Sequence, residues 1–313
     1  MTASAQAMRP FWPNWCAVAQ QMLAAMLGEL QGLVITGGEA SVRLSPRGIC
    51  RGRWIAGFSP FGVSPDRLLG LPQRLGMPAA GAQHFREHHQ RARQIYLALA
   101  QTGHQVVAKV YLEYPLPAVD LRALPALRRS VALQIESCKW RVDQIRPLDP
   151  IERTEYWRVS GLDGRAMLEL LGQTSDLPPA VQAVYAGVAT VLEQALRGQT
   201  DWQGYRLLSV REPSQGRQGV GVRFYGSDQR VSAVWPALAP VFTHWGLPQQ
   251  ELSGLQERWS HQELGWLHAG LDQHGQPYLN VYGALNRAQT RAVLTPAGPA
   301  PDPQDNPLQE KSR

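Results

Sequence analysis

The chain has 313 residues, of which 44% are hydrophobic and 18% are charged, and its formal net charge is +6. This composition supports a large core, and the cations are too dispersed to form basic tails, so a phosphate-bearing partner fits the charge without requiring a nucleic acid. Three cysteines without a Cys-x-x-Cys pair indicate reduced, buried thiols rather than disulfides or a zinc site. The sequence shows no membrane span and no signal peptide, so we expect a cytoplasmic protein without a membrane partner. We also expect a monomer.

The spacing of apolar residues predicts helices and strands in a regular succession. Helices are expected over residues 15–30, 82–102, 164–171, 178–196 and 232–258, the last with breaks at its prolines. Hairpins are expected from 39–45 with 49–58, from 205–212 with 219–225, and from 264–272 with 278–283. Three further strands are expected over 106–114, 132–142 and 154–160. Because no helix interrupts the hairpins, the strands should be antiparallel.

The domain organisation follows from the same succession. We expect a flexible N-terminus over residues 1–13, a single domain over 14–290 and a disordered tail over 291–313, where the Pro-rich sequence lacks apolar residues to pack. The middle of the chain leaves the pairing open. The strand over 106–114 has no evident partner before it, and the segment 132–160 can be paired in more than one way.

The predicted strands repeat one chemical theme on their polar face. Lys109 and Arg223 each stand two residues before a tyrosine, Tyr111 and Tyr225, and residues two apart on a strand share a face. The polar phase of the strands therefore collects cations and large aromatics: Arg51, Arg53, Lys109, Tyr111, Tyr156, Arg158, Arg223, Tyr225, Trp266, His268, Tyr278 and Tyr282. The opposite phase forms an apolar back: Ala40, Val42, Val110, Leu112, Val222, Phe224, Leu279 and Val281.

A two-faced sheet of this kind can close or stay open. If helices cover the apolar back, the polar face meets water either as the outside of an open sheet or as the lumen of a barrel. Solvated faces seldom concentrate large aromatics, and closure removes the exposed strand edges. We therefore predict an α+β fold, an antiparallel β-barrel with a polar lumen surrounded by α-helices. An open, helix-backed sheet is the alternative.

These residues resemble those of the ABBA aromatic prenyltransferases, barrels built from repeated α-β-β-α units. The first hairpin, Glu39-Ala-Ser-Val-Arg43-Leu followed by Ile49-Cys-Arg-Gly-Arg53-Trp, is most similar to the branch that prenylates ribosomal cyclic peptides of the cyanobactin type. Lys109-Val-Tyr111 and the terminal strand ending in Tyr282 fit the same family. The resemblance implies transfer of a C5 or C10 isoprenoid from dimethylallyl or geranyl diphosphate to an electron-rich group of a peptide or a small aromatic molecule.

The resemblance also implies roles for individual residues, and the chemistry suits them. Ionisation of an allylic diphosphate yields a diphosphate anion, which cations stabilise, and a carbocation, which aromatic faces stabilise. Glu39 is the expected general base. The expected diphosphate ligands are Arg43, Arg53, Lys109, Arg158 and Arg223. The expected carbocation shield is Tyr111, Tyr225 and Tyr282, and the expected acceptor and lumen residues are Tyr156, Trp266, His268 and Asn280.

No metal site is predicted from the sequence. An Asp-Asp-x-x-Asp motif is absent, so cationic side chains would bind the diphosphate, and Mg²⁺ remains an optional cofactor without a visible ligand set. His84, His88 and His89 include an i, i+4 pair, but no third ligand is evident and Arg86, Arg91 and Arg93 are close in sequence. We expect these histidines on a solvated helix face.

Two other functions fit parts of the pattern. A non-catalytic barrel that carries a hydrophobic or acidic ligand explains the aromatic lumen but gives no role to Glu39 beside several arginines. A nucleic-acid-binding sheet, in which cations hold phosphates and aromatics stack on bases, requires a flat and exposed polar face. The resemblance favours the prenyltransferase and predicts no nucleic-acid partner.

Overall fold

The fold is built on one antiparallel sheet. The computed structural model describes residues 15–115, 130–142, 151–197, 205–214 and 217–285. In chain order the strands are β1 (Ile35–Ser45), β2 (Gly48–Cys50), β3 (Gly52–Phe58), β4 (Gln94–Thr102), β5 (Gln105–Glu113), β6 (Ser130–Arg141), β7 (Glu152–Ser160), β8 (Arg206–Glu212), β9 (Arg217–Arg223), β10 (Leu264–Leu271) and β11 (Pro277–Leu285). From β3 to β11, each strand pairs with the next strand in the sequence. β1 pairs with both β2 and β3, which lie one after the other along it.

The sheet closes on itself through its first and last strands. β11 pairs with β1 from Gly38 opposite Leu285 to Leu44 opposite Leu279. Since β2 and β3 are two parts of one strand position beside β1, the closed barrel has ten strand positions. Closure confirms the predicted barrel, and the open, helix-backed sheet is wrong. The flat polar face that a nucleic-acid-binding sheet requires is turned into the lumen of the described strands.

Seven α-helices surround the barrel in the described part of the chain. They are α1 (Ala17–Leu30), α2 (Pro65–Arg74), α3 (Ala79–His88), α4 (Gly164–Gly172), α5 (Pro179–Leu196), α6 (Val234–His244) and α7 (Gln249–Trp259). The side chains of Ser64 and Asp163 accept hydrogen bonds from backbone N–H groups in the first turns of α2 and α4, which fixes where these helices begin. None of the described helices is long and apolar enough to cross a membrane.

The hydrophobic core lies between the outer face of the barrel and the helices. The predicted apolar back of the strands is buried there, with Val42, Val222 and Leu279 fully inaccessible, together with Met26 of α1 and the apolar face of α5. Burial of one face turns the other face of every strand inward, because successive side chains alternate. The position of the core therefore determines which residues line the lumen.

The predicted helix over residues 82–102 is wrong in its second half. α3 ends at His88, a single 3₁₀ turn follows at His89–Arg91, and β4 begins at Gln94. Residues four apart share a face in a helix and in a strand alike, so the apolar pair Ile95 and Leu99 did not distinguish the two. β4 is the partner that β5 lacked in the prediction.

The structure also settles the pairing in the middle of the chain. β6 and β7 pair from Ser130 opposite Ser160 to Lys139 opposite Glu152, with a bulge between Leu133 and Ile135. The predicted helix over 232–258 is divided into α6 and α7. The predicted flexible N-terminus over 1–13 and the predicted tail over 291–313 lie outside the described residues.

The predicted solvated histidine face is wrong. His89 is buried and its Nδ1 lies 3.0 Å from the carbonyl oxygen of Arg86, while Nε2 of His84 lies 3.7 Å from the carboxylate of Glu136 on β6. α3 is packed on the barrel along this face.

The cysteines are free as predicted, but only Cys138 is buried. Within the described residues, no group of His, Cys, Asp and Glu side chains is arranged to hold a metal ion.

Candidate active site

The lumen contains two chambers that share one constriction. A chamber of about 1200 Å³ lies at the end where the hairpins turn, and we call it the hairpin-end chamber. A smaller one of about 470 Å³ contains Glu39 and is called the Glu39 chamber. Four side chains line both chambers, Tyr111, Tyr156, His268 and Tyr282, and we call them the aromatic belt. A ligand that reaches from one chamber to the other has to pass between these rings.

The belt is a chain of ring contacts across the barrel. The ring centroids are 6.1 Å apart between Tyr111 and Tyr156, 5.8 Å between Tyr156 and His268, and 5.0 Å between His268 and Tyr282. A glycine makes room for it: a Cβ on Gly221, directly across from His268, would lie 2.7 Å from the imidazole ring. The belt presents several electron-rich faces to the same space.

The hairpin-end chamber collects three of the predicted diphosphate ligands. The guanidinium of Arg43 lies 3.4 Å from the carboxylate of Asp272 and 4.3 Å from the centre of the Tyr278 ring. The Arg53 guanidinium donates a 2.5 Å hydrogen bond to the amide oxygen of Asn280 and lies over the ring of Tyr282 at 6.0 Å. Lys109 lines the same chamber. Arg43, Arg53 and Lys109 therefore surround one space next to the belt.

Further charged residues of this chamber were not assigned a role from the sequence. Lys139 lies opposite Lys109 in the β5–β6 register, and its Nζ is 2.8 Å from Glu212 and 2.5 Å from Glu152. The β6–β7 pairing, which the sequence left open, places it there. In the described lining, seven Arg and Lys residues face four carboxylates, so the chamber keeps a positive balance.

Glu39 occupies the smaller chamber, on the other side of the belt from Arg43 and Arg53. The hydroxyl of Tyr225 donates a hydrogen bond to its carboxylate. Enclosure in the barrel raises the pKa of Glu39 to about 7, and the bond from Tyr225 and the charge of Arg223 moderate that rise. A carboxylate with a pKa near neutrality can both take up and release a proton at physiological pH.

The other two predicted diphosphate ligands, Arg158 and Arg223, are not beside the first three. Arg223 lines the Glu39 chamber, where its guanidinium lies 5.0 Å from the ring of Tyr225. Arg158 is opposite Leu208 in the β7–β8 register, and Leu208 lines this chamber too. Arg206, which was not among the predicted site residues, lies directly opposite Arg223. Four of the five predicted cations thus divide between the two chambers, Arg43, Arg53 and Lys109 in one and Arg223 in the other, and Arg158 is next to Leu208 without being part of either lining.

The Glu39 chamber contains a second carboxylate, Glu113, which was not among the predicted site residues. Glu113 accepts hydrogen bonds from the Tyr96 hydroxyl at 2.6 Å and from the guanidinium of Arg93. The pKa of the Tyr96 phenol is raised by burial and by the charge of Glu113, so it stays a proton donor. Tyr96 was not predicted as a lumen residue, because it lies in the segment 82–102, which was predicted to be helical. The predicted lumen residue Trp266 also lines this chamber, with its ring centroid 5.4 Å from that of His268.

Comparisons with known proteins identify the fold. No family model and no curated protein matches the sequence. The structure of NotF in complex with brevianamide F and DMSPP is similar with a TM-score of 0.51 at 12% identity, over 89% of this chain and 97% of that chain. A second structure of the NotF prenyltransferase has a TM-score of 0.47 at 12% identity, over 79% of this chain and 80% of that chain. AnaPT from Neosartorya fischeri has the same TM-score and identity, over 79% of this chain and 77% of that chain. The chain has the ABBA barrel fold of the NotF complex.

Proposed function

We propose that the protein is a prenyltransferase that moves a C5 or C10 isoprenoid from an allylic diphosphate to an electron-rich group of a peptide or small aromatic acceptor. The observation that carries the proposal is the order of chemistry along the lumen. A cationic chamber, a belt of aromatic rings and a carboxylate with a raised pKa follow one another. This order corresponds to the leaving group, the carbocation and the proton that the reaction has to handle.

The diphosphate fits the hairpin-end chamber. Arg43, Arg53 and Lys109 approach it from three strands, and this end of the lumen has the positive balance. Charge-assisted hydrogen bonds from guanidinium and ammonium groups stabilise the charge that develops on the departing diphosphate. The described residues of this chamber offer cations to the diphosphate, and Mg²⁺ stays an optional cofactor without a ligand set among those residues.

The isoprenoid then lies at the belt and the acceptor in the Glu39 chamber. The faces of Tyr111, Tyr156 and Tyr282 stabilise a delocalised carbocation through their quadrupoles and exclude the water that would quench it. The acceptor attacks from the side of Glu39, which takes the proton that the phenol or indole loses. Tyr225, hydrogen-bonded to Glu39, orients the carboxylate.

The acceptor class divides the proposal into two versions. The similarity of the first hairpin favours a cyclic peptide of the cyanobactin type, of which one side chain would enter the barrel. The smaller chamber, at about 470 Å³, fits an aromatic side chain or a small aromatic molecule and not a whole macrocycle. In both versions the reacting group is a single electron-rich ring.

The test is turnover. Purified protein is incubated with dimethylallyl or geranyl diphosphate and a panel of cyclic peptides, linear peptides and aromatic amino acids, and products are read by mass spectrometry. A mass increase of one C5 or C10 unit, lost in Glu39→Gln, is expected. A protein that binds the diphosphate and acceptors but alkylates none of them is the non-catalytic carrier instead.

A further inference from the structure

Strand β6 carries one extra residue, Gln134, in the wall of the Glu39 chamber. The β6–β7 register shifts between Leu133 and Ile135, so Gln134 has no partner residue on β7. Its backbone carbonyl accepts a 2.8 Å hydrogen bond from the N–H of Tyr114, which holds the bulge in place. Gln134 and Ile135 both line the chamber, although consecutive residues of a regular strand face opposite sides. The bulge therefore brings to the lumen an amide that a regular strand would turn away from it.

The side chain of Gln134 is buried and fixed at its nitrogen end. The residue is 1% exposed, and its Nε2 donates a 3.3 Å hydrogen bond to a carboxylate oxygen of Glu113. Glu113 also accepts from the guanidinium of Arg93 and from the Tyr96 hydroxyl. An ionised carboxylate only accepts hydrogen bonds, so the nitrogen of the amide has to face Glu113 and the oxygen cannot take its place. The partners of Glu113 thus determine the orientation of the amide.

The oxygen end of the same amide has no partner. Oε1 of Gln134 is buried and accepts no hydrogen bond from any of the described residues. A planar amide directs its oxygen and its nitrogen to different sides, so the oxygen faces away from Glu113. A buried carbonyl oxygen without a donor bears the cost of its desolvation, and a ligand N–H that donates to it would remove that cost. Because Gln134 and Glu113 both line the Glu39 chamber, a molecule bound there can supply the donor.

We infer that Gln134 is a specificity-determining residue whose side-chain oxygen accepts a hydrogen bond from an amide N–H of the acceptor. The inference rests on the proposed function and narrows its substrate class. Glu39 takes the proton of the reacting ring, so the group that bonds to Gln134 is a second donor on the same molecule. The carboxylate that holds Gln134 is already paired with Arg93 and leaves no unpaired negative charge there to favour an ammonium group. An aromatic residue with an acylated amino group has both donors, whereas a simple phenol or indole has only one.

The test compares acceptors with and without the amide N–H. The four probes are the methyl esters of N-acetyl-L-tryptophan and N-acetyl-L-tyrosine and their Nα-methyl counterparts, which lack an amide N–H. Their binding to the wild-type protein is measured calorimetrically in the presence of inorganic pyrophosphate. We expect the N–H form of at least one pair to bind about five- to tenfold more tightly, because its loss leaves a buried oxygen unpaired. Equal affinity within both pairs, or no binding of any probe, overturns the inference.

A double-mutant cycle separates this bond from the other effects of N-methylation. Gln134→Met keeps the length of the side chain but lacks the carbonyl oxygen, so it should weaken the N–H form about five- to tenfold and leave the Nα-methyl form unchanged. Gln83→Met is the matched control, since Gln83 is exposed on α3, where it bonds to Glu87. A Gln134→Met variant that weakens both forms equally, or neither, contradicts the inference. The comparison of probes on the wild type decides the question even where the variant does not fold.

The two proposals fail separately. Binding that depends on the amide N–H and on Gln134, without any alkylated product from dimethylallyl or geranyl diphosphate, supports the role of Gln134 and contradicts the prenyltransferase. Alkylation of the N–H and Nα-methyl forms with equal affinity and equal efficiency supports the prenyltransferase and contradicts the role of Gln134.

Discussion

The two chambers of the lumen handle positive charge in opposite ways. In the hairpin-end chamber the cations alternate with acids, as in the contacts of Arg43 with Asp272 and of Lys139 with Glu152 and Glu212. In the Glu39 chamber Arg206 lies directly opposite Arg223, and Arg158 lies beside them on β7, so like charges adjoin one another. The first arrangement holds its cations in place for a polyvalent anion. In the second, burial and then the neighbouring like charges lower the pKa values of Arg158 and Arg223.

The largest effect is expected at Glu39, the proposed general base, which lies in the smaller chamber. Glu39→Gln keeps an acceptor for the Tyr225 hydroxyl but removes the basicity, so turnover should fall by roughly 10²-fold or more while the donor still binds. Steady-state kinetics and pyrophosphate binding check both parts. Glu155→Gln, on the outer face of β7, is the control. Wild-type turnover in folded Glu39→Gln would remove Glu39 as the base.

The donor cations are the next largest effect. Arg53→Ala or Lys109→Ala should weaken donor binding or ionisation by about 1 to 3 kcal/mol, the loss expected for one charge-assisted hydrogen bond. Kinetics at varied donor concentration, with Arg165→Ala on the exposed surface of α4 as control, measures this loss. If both lumen variants keep wild-type kinetics, the diphosphate does not occupy the hairpin-end chamber.

The belt should give a moderate effect that depends on aromaticity. Tyr282→Phe keeps the ring quadrupole and should be mild, whereas Tyr282→Leu should lower turnover and increase the share of donor hydrolysed to the free alcohol, by about tenfold for a cation–π contact of ~1 to 2 kcal/mol. The ratio of alkylated product to alcohol is the measurement. Identical ratios in the Phe and Leu variants would exclude carbocation shielding by this ring.

The smallest effect concerns stability. Because the folded pKa of Glu39 is about 7 and its ordinary value is 4.5, the folded state binds a proton that the unfolded state has lost between these values. The free energy of unfolding therefore falls as the pH rises through this window. Glu39→Gln lacks the titrating group and does not lose stability in this way. The difference between its Tm and the wild-type Tm should therefore shift in favour of the variant as the pH rises from 5 to 8. A constant Tm difference across that range contradicts the raised pKa.

Much of the barrel was predictable because strand patterns are local. The alternation of Glu39, Ser41 and Arg43 with Ala40 and Val42 defined two faces without knowledge of the partner strands, and the structure buries the apolar face as expected. β4 was missed for an equally local reason, since Ile95 and Leu99 satisfy helix and strand spacing alike. Tyr96, on the lumen face of that strand, was lost with it.

The sequence by itself determined which side chains face the lumen and what chemistry they carry. Only the tertiary structure decided how far along the barrel axis each of them lies. Lys109-Val-Tyr111 and Arg223-Phe-Tyr225 are the same local pattern, yet Lys109 lies in the hairpin-end chamber and Arg223 in the Glu39 chamber. Lys109 is in the middle of β5, whereas Arg223 ends β9. Side chains alternate with a period of two residues, so a short segment is enough to show the alternation. The position of a side chain along the barrel axis depends instead on the register of every pair of strands in the closed barrel.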